Sequence, residues 1–87
     1  MNRFRFIVGG NEFLLNTEDV QQKLQTVRPE TIRKIAVCVN GTWYPVKQAL
    51  AESAGLLRGN FTSHDAMRVF RRLELPLKNW EMDATEE

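Results

Sequence analysis

A tight-turn signal between two strand-like segments constrains the fold of this chain more than any other feature. Residues 35–39 read IAVCV and are apolar on both alternating faces, which predicts a strand covered on both sides in the middle of a sheet. Asn40-Gly41 follows, and this pair favours a two-residue hairpin turn because both residues accept positive φ angles. Residues 42–44 have high strand propensity, so we expect an Ile35–Tyr44 hairpin.

The N-terminal third predicts another hairpin and a surface helix. Residues 3–8 alternate between apolar and polar side chains, and a Gly-Gly-Asn sequence can turn the chain into a return strand at residues 13–15. Asn16 or Thr17 can then cap a helix that carries one apolar stripe on an otherwise polar surface. Pro29 ends that helix and favours a short helical turn after it.

Two further helices are predicted after the Ile35–Tyr44 hairpin. Pro45 stops strand pairing but is accepted in a first helical turn, so a helix is expected over about residues 45–54. Thr62 and Asp65 match a capping box, which predicts a final helix over about residues 63–73. Its inner face is apolar, whereas its outer face carries a cluster of nitrogen-bearing side chains: His64, Arg68, Arg71 and Arg72.

These segments predict an α+β fold in which a small antiparallel sheet packs with three helices, the last two in a helix-turn-helix-like order. The sheet would combine the N-terminal strand or hairpin with the Ile35–Tyr44 hairpin. At 87 residues, of which 43% are hydrophobic, the chain has enough apolar material for one packed core. We therefore expect a single domain over residues 1–80 and an acidic, flexible C-terminal tail over residues 81–87.

The net charge of +1 conceals an uneven distribution of charge. The tail carries four carboxylates and no basic residue, so the rest of the chain has twelve basic residues against seven acidic ones. A basic body of this kind is typical of a protein that binds a polyanion, and DNA is the partner we expect. A solvated surface without such a partner is the alternative.

Cysteine usage and hydropathy favour a cytoplasmic location. Cys38 is the single cysteine and cannot form an internal disulfide, and the sequence shows no signal-peptide pattern. No apolar run approaches the roughly 20 residues that a membrane span requires, so no association with a membrane is expected.

The outer face of the final helix is the principal candidate site. Guanidinium groups bind phosphate oxygens in a bidentate manner, so Arg68, Arg71 and Arg72 predict contacts with a nucleic-acid backbone. Ser63 and His64 would lie nearest to the bases if the start of this helix entered a major groove. Two basic residues of the preceding helix and loop would extend the surface: Lys47 and Arg58. An arginine-rich face that serves only solubility is the alternative.

No reaction chemistry is predicted. His64 is the only histidine, and neither a cysteine pair nor a carboxylate cluster has the spacing of a metal site, so we expect no metal and no cofactor. Cys38 lies in the most apolar strand, where a core position is far more common than a reactive thiolate. The chain is therefore predicted not to be an enzyme.

Two other surfaces leave alternatives open. Trp43 and Tyr44 can stack on single-stranded bases, although such aromatic residues more often pack a sheet. An exposed strand edge and the acidic tail can instead engage a protein. A protein-interaction module, or a small inhibitory or regulatory subunit of a larger complex, is therefore the second hypothesis.

Two segments resemble a small bacterial domain that recurs in uncharacterised proteins. They are VNGTWYPVKQAL at residues 39–50 and GLLRGNFTSHDAMRVFRRLEL at residues 55–75, which share Tyr-Pro-Val-Lys, Phe-Thr-Ser-His and Arg-Arg-Leu elements with it. Related patterns accompany restriction-type proteins that act on DNA, so the resemblance implies a DNA-binding role. It also implies six motif positions: Lys47, Arg58, Thr62, Ser63, His64 and Arg71. Glu74 departs from the pattern, which commonly has glycine there, so a different helix end is expected.

Overall fold

The structure is a computed structural model that describes residues 2–79. Its strands are β1 Phe4–Val8, β2 Asn11–Leu15, β3 Ile35–Val39, β4 Thr42–Pro45 and β5 Leu77–Asn79. Its helices are α1 Thr17–Lys23, α2 Val46–Ala54 and α3 Ser63–Arg72, with a 3₁₀ turn at Arg58–Asn60. The predicted α+β class with three helices is confirmed, whereas the predicted acidic tail lies outside the described residues.

The strands form two antiparallel sheets. One contains β1 and β2 alone, and the other has the order β4-β3-β5, so β3 occupies the central position predicted from its apolar sequence. Strand β5 was not predicted, because three residues carry too little pattern to be recognised. Its pairing occupies the edge of β3 that β4 leaves open, and the N-terminal hairpin therefore forms a sheet of its own.

Both hairpins turn through two residues in the left-handed region. Asn40 and Gly41 have φ angles of 56° and 78°, which is the type I′ geometry that their sequence predicts. Gly9 and Gly10 also have positive φ angles. The turn at Gly9 lies against the end of the 3₁₀ turn, where a β-carbon on Gly9 would overlap the carbonyl oxygen of Asn60.

Side-chain caps determine where α1 and α3 begin. Asn16 and Asp19 form a capping box at the start of α1, and Thr62 and Asp65 form another at the start of α3. Each box satisfies two backbone amides that the first helical turn leaves unpaired.

The C-terminal end of α3 is a Schellman motif with an unusual residue in it. The amide of Glu74 donates to the carbonyl of Arg71 at 3.0 Å, and the amide of Leu75 donates to the carbonyl of Phe70 at 3.1 Å. Glu74 has a φ of 62°, a conformation in which glycine is usually found. The helix thus ends as if glycine were present, and Glu74 adopts the strained conformation.

The core lies between the β4-β3-β5 sheet and the two C-terminal helices. Val37 of β3, Leu50 of α2 and Phe70 of α3 are completely buried. The N-terminal hairpin adds Val8 and Leu15 to the same apolar cluster. Because α2 and α3 each have one buried face, their remaining faces are available for other contacts.

Two buried polar side chains hold the loop between α1 and β3. The Tyr44 hydroxyl lies 3.0 Å from the carbonyl oxygen of Leu24, and the Gln48 side-chain amide donates to the carbonyl of Arg28 at 2.9 Å. The Gln48 carbonyl oxygen accepts from the amide of Glu30 at 2.9 Å. Residues 27–32 have no regular secondary structure, so the helical turn predicted after Pro29 does not form.

The connection between α2 and α3 does not confirm a helix-turn-helix. It spans residues 55–62 and contains the 3₁₀ turn, whereas that motif joins its helices through about three or four residues.

Among residues 2–79, no helix has the length and apolar character needed to cross a bilayer.

Replacement of Glu74 by glycine should stabilise the protein. Relief of the left-handed strain is expected to raise the free energy of unfolding by about 0.5–1 kcal/mol, after allowance for the freer unfolded chain. Thermal unfolding followed by circular dichroism measures the change. Glu74→Ala is the matched control, because it removes the same charge but keeps the strain. An equal gain from alanine would assign the effect to charge and contradict the conformational explanation.

The two glycines of the first hairpin turn should differ sharply in their tolerance of a methyl group. Gly10→Ala adds only positive-φ strain, of about 1 kcal/mol, because the space that its β-carbon would occupy is open. Gly9→Ala adds a collision with the Asn60 backbone and should cost at least about 2 kcal/mol. Urea unfolding of both variants tests this order, and equal losses would show that the hairpin does not pack on the 3₁₀ turn.

Candidate nucleic-acid interface

The outer side of α3 forms the surface that we call the arginine face. Its members are exposed, and they are His64, Arg68, Arg71 and Arg72. The opposite side of the helix is fixed in the core by Ala66, Val69 and Phe70, each no more than 2% exposed. A helix anchored in this way presents its outer side chains from a rigid backbone.

The arginines of this face differ in their partners. Arg68 donates to the Asp65 carboxylate at 2.8 Å, one turn earlier on the same helix, and its side chain remains 71% exposed. Arg72 lies over the Phe4 ring, with 4.9 Å between the guanidinium carbon and the ring centroid. Within residues 2–79, the Arg71 guanidinium has neither an ion pair nor a hydrogen bond. Arg71 is therefore the arginine most available to an external anion.

The start of α3 carries a carboxylate that remains ionised. The Thr62 amide donates to Asp65, and this bond, together with the Thr62 hydroxyl and Arg68, holds the pKa of Asp65 below its usual range. A negative charge at this position offsets the positive end of the helix dipole. Phosphate is thus attracted less to the capped start of α3 than to the arginines further along it.

Lys47, Arg58 and Ser63 belong to a different feature, a cavity of about 430 Å³ beside the arginine face. We call it the basic cavity, because four cationic side chains and one carboxylate line it: Arg33, Lys34, Lys47, Arg58 and Glu30. Arg71 lies eight residues after Ser63, or about 12 Å along the axis of α3. The residues predicted to form one surface thus fall into two neighbouring basic areas.

Arg58 and Glu30 form a bidentate ion pair in the basic cavity. Two guanidinium nitrogens of Arg58 lie 2.6 and 2.7 Å from the two carboxylate oxygens of Glu30. These hydrogen bonds lower the pKa of Glu30 and raise the pKa of Arg58, so both groups are charged at neutral pH. Both side chains are about half exposed, so the pair contributes little to the free energy of unfolding.

Lys47 is positioned by an aromatic ring and by its place at the start of α2. Its ammonium nitrogen lies 5.4 Å from the centroid of the buried Phe61 ring. Pro45 precedes the helix and provides no side-chain cap for the amides of the first turn. Lys47 and its two neighbours in this first turn, Val46 and Gln48, line the cavity.

Arg33 and Lys34 were not among the predicted site residues. In the sequence they are a pair of basic residues directly before an apolar strand. That pattern does not indicate to which surface of the folded protein they contribute. The described residues place no carboxylate within ion-pair distance of either side chain. Both add positive charge to the basic cavity.

The two aromatic residues of β4 differ in their availability for stacking. Tyr44 is 4% exposed and uses its hydroxyl inside the protein, so its ring is not available to a nucleic-acid base. Trp43 is partly exposed.

Cys38 is a free, partly buried thiol. No group of three His, Cys, Asp or Glu side chains among residues 2–79 is arranged to hold a metal ion.

Comparison with known proteins gives one family assignment. Searches of curated proteins and of solved structures return no match. A family model described as SCO5918-like matches residues 4–86, a range that contains all the strands and helices of the fold. This match supports the predicted resemblance to a small bacterial domain, and the chain belongs to the SCO5918-like family.

Proposed function

We propose that this domain is a non-catalytic DNA-binding module whose arginine face contacts the phosphate backbone. One observation carries the proposal: α3 is fixed in the core on one side and carries Arg68, Arg71 and Arg72 on its other side. Arg71 has no ion-pair partner among residues 2–79. Guanidinium groups held on a rigid helix suit phosphate oxygens, because no backbone ordering is needed on binding.

The start of α3 has a different role in this proposal. Ser63 and His64 carry hydrogen-bonding groups next to the ionised Asp65, which disfavours phosphate at that point. We therefore assign Ser63 and His64 to base edges and the arginines to phosphates. Lys47 extends the positive surface beyond the helix and attracts the polyanion at longer range, whereas Glu30 offsets the charge of Arg58.

The resemblance to domains that accompany restriction-type proteins supports the same proposal. Its motif positions include His64 and Arg71 on the arginine face and Lys47 and Arg58 in the basic cavity. Binding of this kind needs only charged and polar contacts, and we propose no bond-making step.

Charge reversal on the arginine face should remove DNA binding without unfolding the protein. The Arg68→Glu, Arg71→Glu double variant places two carboxylates where phosphates are proposed to lie, and both side chains are exposed. Fluorescence anisotropy with a labelled duplex should show binding by the wild type that weakens steeply with salt. The double variant should show at least about a hundredfold weaker binding, because each contact to a charged group contributes about 1.5–3 kcal/mol.

The matched control for this experiment is Arg5→Glu with Lys23→Glu. These exposed residues lie on β1 and α1, and their reversal changes the net charge by the same amount. The control should retain most of the affinity. Equal losses in both double variants would show that net charge alone attracts DNA, and unchanged binding by the Arg68/Arg71 variant would exclude the arginine face.

A second candidate function is protein binding through the N-terminal hairpin. Ile7 and Leu14 are 68% and 60% exposed, although both are large and apolar. They lie on the hairpin face opposite Phe6 and Phe13, whose rings pack together. Exposed apolar side chains on a two-stranded sheet are typical of a surface that another protein covers.

Affinity purification distinguishes this candidate. If the hairpin binds a protein, that protein should co-purify with the wild type and be lost from the Ile7→Asp, Leu14→Asp double variant. The Arg68→Glu, Arg71→Glu variant should retain it, because its changes lie on α3. Retention by the Ile7/Leu14 variant, or loss from both, would contradict a hairpin interface.

A further inference from the structure

We propose that the basic cavity binds a phosphate monoester, a ligand class beyond the duplex contacts assigned to the arginine face. The cavity volume of about 430 Å³ lies within the range of small-molecule sites in proteins. The described part of the chain lines it with four cationic side chains and a single carboxylate, so an anion with more than one negative charge is favoured.

Most of this positive charge is free. Glu30 uses both carboxylate oxygens on Arg58 and thereby neutralises that one guanidinium. Arg33, Lys34 and Lys47 have no carboxylate partner among residues 2–79. Three cations thus face the cavity from two different segments of the chain, the loop before β3 and the start of α2.

The walls that carry these cations are held in place before any ligand arrives. Gln48 is 4% exposed, and it binds the backbone of the loop at both Arg28 and Glu30. Lys34 immediately precedes β3, which is paired on both of its edges. The loop is therefore anchored at each end, and less conformational entropy is lost when a ligand binds.

The start of α2 adds hydrogen-bond donors to this charge. Val46, Lys47 and Gln48 form the first helical turn and line the cavity, and no side chain of residues 2–79 caps their amides. Helix amides in this position donate to anions and carry the positive end of the helix dipole. They complement Lys47, whose ammonium group belongs to the same turn.

The concave shape favours a terminal phosphate over a phosphate within a chain. A monoester presents three free oxygens and is close to a dianion at neutral pH, because its second pKa is about 6. A backbone diester has one negative charge and must continue as a chain on both sides of the phosphorus. The convex arginine face suits the diester, whereas the basic cavity suits the monoester.

NMR titration of the full-length ¹⁵N-labelled protein tests the proposal. At constant ionic strength, a nucleoside 5′-monophosphate should produce saturable shifts of the Val46, Lys47 and Gln48 amides, whereas the parent nucleoside should not. Inorganic phosphate should shift the same signals. Shifts that never saturate, that spread over all basic residues or that the nucleoside reproduces would overturn the proposal.

Three substitutions sharpen the test. Lys47→Gln should weaken binding about tenfold or more, which is the expected effect of losing a contact between charged groups. Glu30→Gln should strengthen binding, because it frees Arg58 and removes the only carboxylate that residues 2–79 contribute to the lining. Lys23→Gln, at an exposed position on α1, should change nothing. A purely structural role of the Glu30–Arg58 pair predicts weaker binding by Glu30→Gln, and that result would overturn the proposal.

A third comparison identifies the source of the phosphate. A short single strand with a 5′-phosphate and the same strand with a 5′-hydroxyl are titrated against the same amide signals. Preference for the phosphorylated strand over the free mononucleotide supports a strand end as the ligand, and the reverse order supports a free phosphorylated metabolite. The two strands carry the same diesters, so the difference between them is independent of diester binding by the arginine face.

Discussion

The rest of the structure depends on the burial of strand β3. Its edges are paired with β4 and β5, and its Val37 and Val39 lie in the core with α2 and α3. Each such side chain contributes about 1.5–3 kcal/mol when it leaves water, so this arrangement dominates the stability of a small domain. Because α2 and α3 must turn their apolar faces toward β3, the orientation of their polar faces follows from the core.

Buried hydrogen bonds then determine the shape of the surface. Tyr44 and Gln48 bind carbonyl and amide groups of the loop between α1 and β3. Their bonds hold the loop against α2, and the basic cavity is the space that remains between these elements and the start of α3. A polar contact inside the fold thus shapes a feature on its outside.

The two basic areas of the protein have different physical character. The arginine face is convex, and its side chains extend from a single helix. The basic cavity is concave, and its charges come from segments brought together by folding. Ser63 lies at the cavity and begins the helix that carries the arginine face, so one element connects the two areas. A polyanion with a phosphorylated end has groups suited to both.

Local chemistry in the sequence determined the helix starts, the turns and the inner face of α3. Asn16, Thr62 and Asn40-Gly41 act on backbone atoms within a few residues, so their effect does not depend on the rest of the fold. The inner face of α3 was equally predictable, because helical periodicity alone places its apolar residues together.

Only the tertiary structure decided the division of the strands into two sheets and the composition of the candidate site. β5 pairs with β3 from the far end of the chain, and Arg58 meets a carboxylate 28 positions away in Glu30. Lys47 and Arg72 lie against aromatic rings from other elements. Charge clusters in the sequence indicated that the surface is basic, but they could not show which cations are already paired. Such contacts join distant residues, and they exist only after the core has set the position of every segment.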